Sequence, residues 1–102
     1  MKIEMNPNEM VVKAADSNFI TNGSSIKGKL ILTTQRIYFN PEINGGAEKH
    51  LEIYPDKIKE VMFFKDKILF PSGLNIVTKD GIDNKFTVKK RGEWSEMIAR
   101  MF

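Results

Sequence analysis

The stretch that most constrains this chain is Gly28-Lys29-Leu30-Ile31-Leu32-Thr33-Thr34-Gln35-Arg36-Ile37-Tyr38-Phe39. Side chains alternate across a strand with a period of two, and here two alternating runs meet at a tight polar turn. The pattern predicts a β-hairpin. Leu30, Leu32, Ile37 and Phe39 share its inner face. Lys29, Thr33, Arg36 and Tyr38 share the outer one, with Ile31 the exception.

Further strands flank this pair. Residues 2–9 read as an irregular lead-in with a turn signal at Asn6-Pro7-Asn8. A first strand runs from Met10 to Ile20, with Val12, Ala14, Phe19 and Ile20 as its apolar positions and a break near Asp16-Ser17-Asn18. Asn22-Gly23-Ser24-Ser25 is a loop, because Asn-Gly accepts positive φ at little cost. Pro41 ends the strand that holds Tyr38, since proline cannot donate to a ladder. Beyond the turn at Asn44-Gly45-Gly46, Lys49 to Tyr54 alternates again, with Leu51 and Ile53 on one face.

Ile58 to Lys65 is the next strand. Val61 and Phe63 fall on one face, but Met62 and Phe64 make the opposite face apolar too. Asp66-Lys67 and Pro71-Ser72-Gly73 punctuate the chain, and Leu74, Ile76 and Thr78 alternate up to a hairpin turn at Lys79-Asp80-Gly81. Phe86 and Val88 point inward from a last strand, Lys85 to Lys89. Then the period changes. Trp94, Met97, Ile98 and Met101 follow the i, i+3, i+4, i+7 spacing of one helix face. Glu93 and Glu96 place negative charge in the first turn, where the helix dipole favours it.

Seven short strands followed by one amphipathic helix suit a small open barrel plugged by that helix. From about Met10 to Phe102 the chain resembles the GRAM domain and related bacterial pleckstrin-homology-like domains. The residues that carry the resemblance are Gly28 to Phe39, Leu51-Glu52-Ile53 before Ile58-Lys59-Glu60-Val61, Gly73-Leu74-Asn75-Ile76 before Asp80-Gly81, Phe86, and Trp94 on the helix. The resemblance implies a mainly β fold, a seven-stranded split barrel capped by a C-terminal α-helix. It also implies a non-enzymatic binding module, one GRAM/PH-like domain over residues 1–102. Its strands would occupy about 10–90 and its helix about 92–102. Gly28 and Trp94 are its structural residues, with Trp94 buried at the barrel opening beside Leu30 or Phe86.

Composition narrows the function. At 102 residues, 41% hydrophobic and 28% charged, the chain is of ordinary globular composition and fits one domain. No apolar run approaches the roughly 20 residues that span a bilayer. The segment Met1 to Pro7 lacks the apolar core of a signal peptide. Cysteine is absent, so no disulfide or thiolate metal site is expected. The expected setting is cytoplasmic, with peripheral association at a membrane if lipid is bound.

No chemistry in the sequence names a reaction, and no cofactor is expected. His50, the only histidine, alternates onto a polar face and has no partners at ligand spacing, so it is read as a surface residue and no metal site is expected. No Gly-x-Ser-x-Gly elbow is present. Tyr38 and Arg36 are too few for a base-stacking platform, which disfavours nucleic acid.

Two binding readings stand. Residues 27–40 carry Lys27, Lys29 and Arg36 with no acid, and residues 79–91 are also basic, whereas 41–56 are acidic. In the family, basic residues near the first hairpin often bind inositol-phosphate headgroups, which makes Lys27, Lys29 and Arg36 the candidates for anionic lipid. The closely spaced basic pair of that motif is missing here: the first strand offers only Lys13. A diffuse attraction of roughly 1 kcal/mol per basic residue is what remains. Against it stands plain solubilising charge. Met62 and Phe64 are the candidates for a protein-partner or homodimer interface, because two large apolar side chains on an outer face call for a cover. The alternative cover is the N-terminal segment, through Ile3 and Met5.

Overall fold

Seven antiparallel strands form one sheet in the order β4-β3-β2-β1-β7-β6-β5 in the computed structural model, which describes residues 6–21, 24–42, 51–64 and 73–101. The strands are β1 (Val11–Thr21), β2 (Ser24–Thr33), β3 (Ile37–Pro41), β4 (Leu51–Ile53), β5 (Ile58–Phe64), β6 (Gly73–Thr78) and β7 (Asp83–Thr87). A short 3-10 turn, Pro55–Lys57, links β4 to β5. One helix, α1 (Arg91–Ala99), follows. The sheet does not close, and β4 and β5 are its two edges. The expected split architecture with a helical cap is therefore present.

The inner face follows the alternation. Leu30, Phe39, Leu74, Ile76 and Phe86 are fully buried. Three rings join β1, β3 and β7: Phe19 stacks on Phe86 with centroids 5.1 Å apart, and Phe39 lies 5.7 Å from each. Helix α1 packs on β5 and β6 and buries Trp94 and Ile98 in the same cluster. Lys13 fastens its start, with Nζ 3.5 Å from Glu93 and 5.9 Å from the Trp94 ring centroid.

Gly28 is required by packing. A Cβ there would lie 2.4 Å from the Asn40 carbonyl oxygen and 2.8 Å from Phe39 Cζ. Backbone cannot move aside as a side chain can, so β2 and β3 approach closely only because residue 28 has no side chain.

The first strand departs from its expected form. It does not break at Asp16-Ser17-Asn18: all three residues stay in the ladder, although the buried Ser17 hydroxyl has no hydrogen-bond partner among the described residues. Asp16 pairs with Lys29 at 3.3 Å, Ser17 is buried opposite Gly28, and the Asn18 amide donates to Thr87 Oγ1 at 3.1 Å. The irregularity lies earlier, where the register shifts between Val11 and Lys13. This bulge moves the inward set to Ala15, Ser17 and Phe19, and leaves Val12 and Ala14 exposed. The expected turn at Asn6-Pro7-Asn8 is present and closed by the Glu9 amide donating to the Asn6 carbonyl at 3.1 Å. The expected turns at Asn22-Gly23 and Asn44-Gly45-Gly46, the residues 65–72, His50, Ile3 and Met5 lie outside the described residues.

Candidate functional site

Arg36 is not a surface cation. Cross-strand pairing puts Ile31, Tyr38 and Glu52 in one outward row, as the alternation predicts for this side of the hairpin. The segment 6–10 then lies over that side, which leaves Arg36 only 4% exposed. Its Nε donates to Glu9 Oε2 at 2.9 Å and its second terminal nitrogen donates to Glu9 Oε1 at 3.1 Å. The remaining terminal nitrogen donates to Glu52 Oε1 at 2.7 Å. Thr33 Oγ1 donates to Glu9 Oε2 at 2.5 Å, and the Asn6 amide donates to Oε1 at 2.9 Å.

Burial pushes the Glu9 carboxyl up, but the bonds from Arg36, Thr33 and the Asn6 amide outweigh it and hold the group at about 2. The Glu9 bond, opposed by burial, pushes the guanidinium higher still. Two carboxylates neutralise Arg36, which sets its buried guanidinium apart from the exposed Lys27 and Lys29 with which the sequence grouped it as a lipid-binding candidate. Thr33 and Tyr38, expected outside with it, are also buried, Thr33 against Glu9 and Tyr38 with its ring 5.6 Å from the Arg36 guanidinium. The missed residue was Glu9, 27 positions upstream of its partner.

Lys27 and Lys29 do lie exposed on the outer face. Lys29 pairs with Asp16, whose side chain is itself largely exposed. The register brings these lysines onto the same side of the sheet as the apolar pair of β5. Lys27 lies opposite Asn18, Asn18 opposite Thr87, Thr87 opposite Gly73, and Gly73 opposite Phe64. A second row runs Ser25, Ile20, Lys85, Asn75, Met62. Residues directly opposite one another share a face. Lys27 and Phe64 are thus four strand spacings apart, about 19 Å along the sheet at roughly 4.8 Å each.

Met62 is 49% exposed on this face, whereas Phe64 is half-buried because its ring lies over Gly73. Lys85 Nζ stands 5.6 Å from the Phe64 ring centroid. At the same end of β5, Phe63 is 52% exposed, and the Arg91 guanidinium covers its ring at 4.6 Å. Arg91 also donates to the Phe64 carbonyl at 2.8 Å. Lys89 and Lys90, just before α1, are exposed. Phe63, Lys85 and Arg91 were not singled out in the sequence. The register of β5, β6 and β7 brings Lys85 to Phe64, while Arg91 reaches Phe63 from the start of α1.

The opposite opening of the sheet is different. An open groove of about 810 Å³ lies between β4 and the β6–β7 hairpin, lined by Tyr54, Asp56, Lys57, Lys79 and Ile82 among others. Its charges are mixed. Asp80 there is held low by the Thr78 hydroxyl and the Ile82 amide, bonds that close the hairpin turn. Among the described residues no cluster of His, Cys, Asp or Glu suits a metal ion, and no helix is long and apolar enough to cross a membrane.

A seven-stranded open sheet capped by one C-terminal helix defines a pleckstrin-homology-like fold. Solved structures with that fold include the N-terminal PH domain of Vps36 (TM-score 0.74, 16% identity, covering 96% of this chain and 82% of that one). The C-terminal domain of an unknown protein from Leishmania infantum is similar too (TM-score 0.76, 16% identity, 93% and 86% covered). So is a DUF1696 family protein with a pleckstrin-homology domain from Shewanella loihica (TM-score 0.63, 14% identity, 95% and 82% covered). None of the curated proteins matches this sequence. The GRAM domain model matches residues 1–101, and the chain belongs to the GRAM domain family. Domains of this type are generally non-catalytic and are often involved in membrane or protein binding.

Proposed function

We propose that this GRAM domain is a non-catalytic module that docks on anionic membrane surfaces through the outer face of β2-β1-β7-β6-β5. The single observation that supports this most is the shared face of Lys27, Lys85, Met62 and Phe64. Cations beside exposed apolar side chains suit a lipid headgroup layer, where the charge meets phosphate and the apolar part enters the acyl boundary. With Arg36 consumed by Glu9 and Glu52, the face presents lysine point charges rather than a guanidinium fork. It therefore favours anionic lipid without selecting one inositol phosphate.

Flotation with neutral and with phosphatidylserine-containing vesicles tests this. Binding should appear only with the anionic vesicles. It should fade as salt rises to physiological strength, where the Debye length is about 8 Å. Lys27→Glu with Lys85→Glu should abolish it, and Met62→Asp should weaken it. Absence of binding to anionic vesicles at low salt overturns the reading.

The exposure of Met62 on the outer side of an edge strand, with Phe64 half-buried beside it, favours a second reading, a protein partner or homodimer on the same face. Sedimentation would then show a dimer that Phe64→Lys dissociates without unfolding.

A further inference from the structure

We propose that Thr33 and Arg36 form a carboxylate-binding cradle that is filled in cis by Glu9 and accepts the carboxylate of an acidic peptide when the segment 6–10 is displaced. The cradle is built without that segment. Thr33 Oγ1 accepts the Gln35 and Arg36 amides at 3.1 and 3.0 Å, which fixes the oxygen, and its one proton goes to Glu9 Oε2, with the Arg36 carbonyl 3.1 Å away as the other acceptor within reach. Glu52 holds one arm of the guanidinium at 2.7 Å and leaves the other edge, Nε and a terminal nitrogen, aimed at Glu9. That edge and the Thr33 hydroxyl together match a planar carboxylate and would match a spherical halide poorly.

The occupant is lightly held apart from its carboxylate. Glu9 is the only buried side chain of the five residues 6–10; Asn6, Pro7, Asn8 and Met10 are exposed. Among the described residues no apolar burial fastens the segment. Its other ties among the described residues are the two side-chain bonds of Gln35, to Asn6 and to the Pro7 carbonyl, and the exchange of bonds between Met10 and Thr34. A carboxylate arriving on another chain replaces the strongest of these contacts one for one. The cradle would then hold a partner's acidic segment in the place of the domain's own.

Full-chain Glu9→Gly tests the cradle directly, with formate and acetate as probes against chloride at equal ionic strength. Formate and acetate should raise the melting temperature of this variant saturably. The parent and the Glu9→Gly/Arg36→Met double variant should not respond. The peptide acetyl-Asn-Pro-Asn-Glu-Met-amide should act like acetate at lower concentration, and the same peptide with glutamine for glutamate should not. Carboxylates that do no more than chloride overturn the proposal. If Glu9→Gly does not fold in chloride, Gln35→Ala carries the test, because it loosens the segment and leaves the cradle intact. There the peptide should speed hydrogen exchange at the Met10 amide, and equal exchange with the glutamine peptide overturns the proposal.

Discussion

The ring of Phe64 occupies the space beside Gly73 that a Cβ would fill: three of its ring atoms lie within 2.6 Å of where that Cβ would be. The two residues are direct cross-strand partners at the end of β5 and β6. Gly73→Ala should therefore swing the ring outward and cost about 1 kcal/mol, since a ring moves more cheaply than backbone. In the Phe64→Ala background the same change should cost less, and a double-mutant cycle by urea unfolding reads the difference.

Gly28→Ala should cost more, about 1–3 kcal/mol, because the obstruction is the Asn40 carbonyl rather than a side chain. Amide exchange should show the loss first between β2 and β3. An unchanged denaturation midpoint would contradict the close approach of those strands.

Trp94 is fully buried between the helix and the inner face of the sheet. Trp94→Ala should cost on the order of 3–5 kcal/mol, a large share of what a small domain has. A melting temperature equal to the parent's would mean that α1 does not cap the sheet.

Glu9 gives the domain an acid limb. Its folded pKa, about 2, is depressed from an ordinary 4.5, so its stabilising contribution is present above about 4.5 and is lost as the pH falls toward 2. The gap corresponds to about 3 kcal/mol. Glu9→Gln should be less stable than the parent at neutral pH, and the two should converge as the pH drops from 5 to 2. Thermal unfolding across that range measures it. Parallel curves would remove the buried pair as the cause.

Arg36→Ala should be far more damaging than Lys27→Ala. The first leaves a buried carboxylate without its partner, which costs about 3–5 kcal/mol. The second removes an exposed charge and should stay within about 0.5 kcal/mol. Equal effects on the denaturation midpoint would place both side chains in the same environment.

The period of two made the inner face of β2 and β3 legible, and the period of the helix did the same for Trp94 and Ile98. These are local patterns, fixed by neighbours a few positions apart. Arg36 shows what such patterns leave out. Its side of the hairpin was read correctly, but burial came from a segment 27 residues upstream that carries the matching charge. The face proposed for docking was half legible for the same reason. Lys27 and Met62 each stood out in the sequence, while their common face depends on four registers that no single strand encodes.

The bulge at Val12 sets a parity rule for the N-terminal part of the chain. Val11 lies opposite Thr33, on the side of the sheet where Glu9 meets Arg36, whereas Ala15, Ser17 and Phe19 look into the core. All are odd-numbered, and only the extra residue lets one strand send odd positions to both sides. An indel of one residue between Glu9 and Phe19 must therefore either heal the bulge or misdirect one of the two. Relatives that differ in length here should differ by two residues, or by one that falls at the bulge itself.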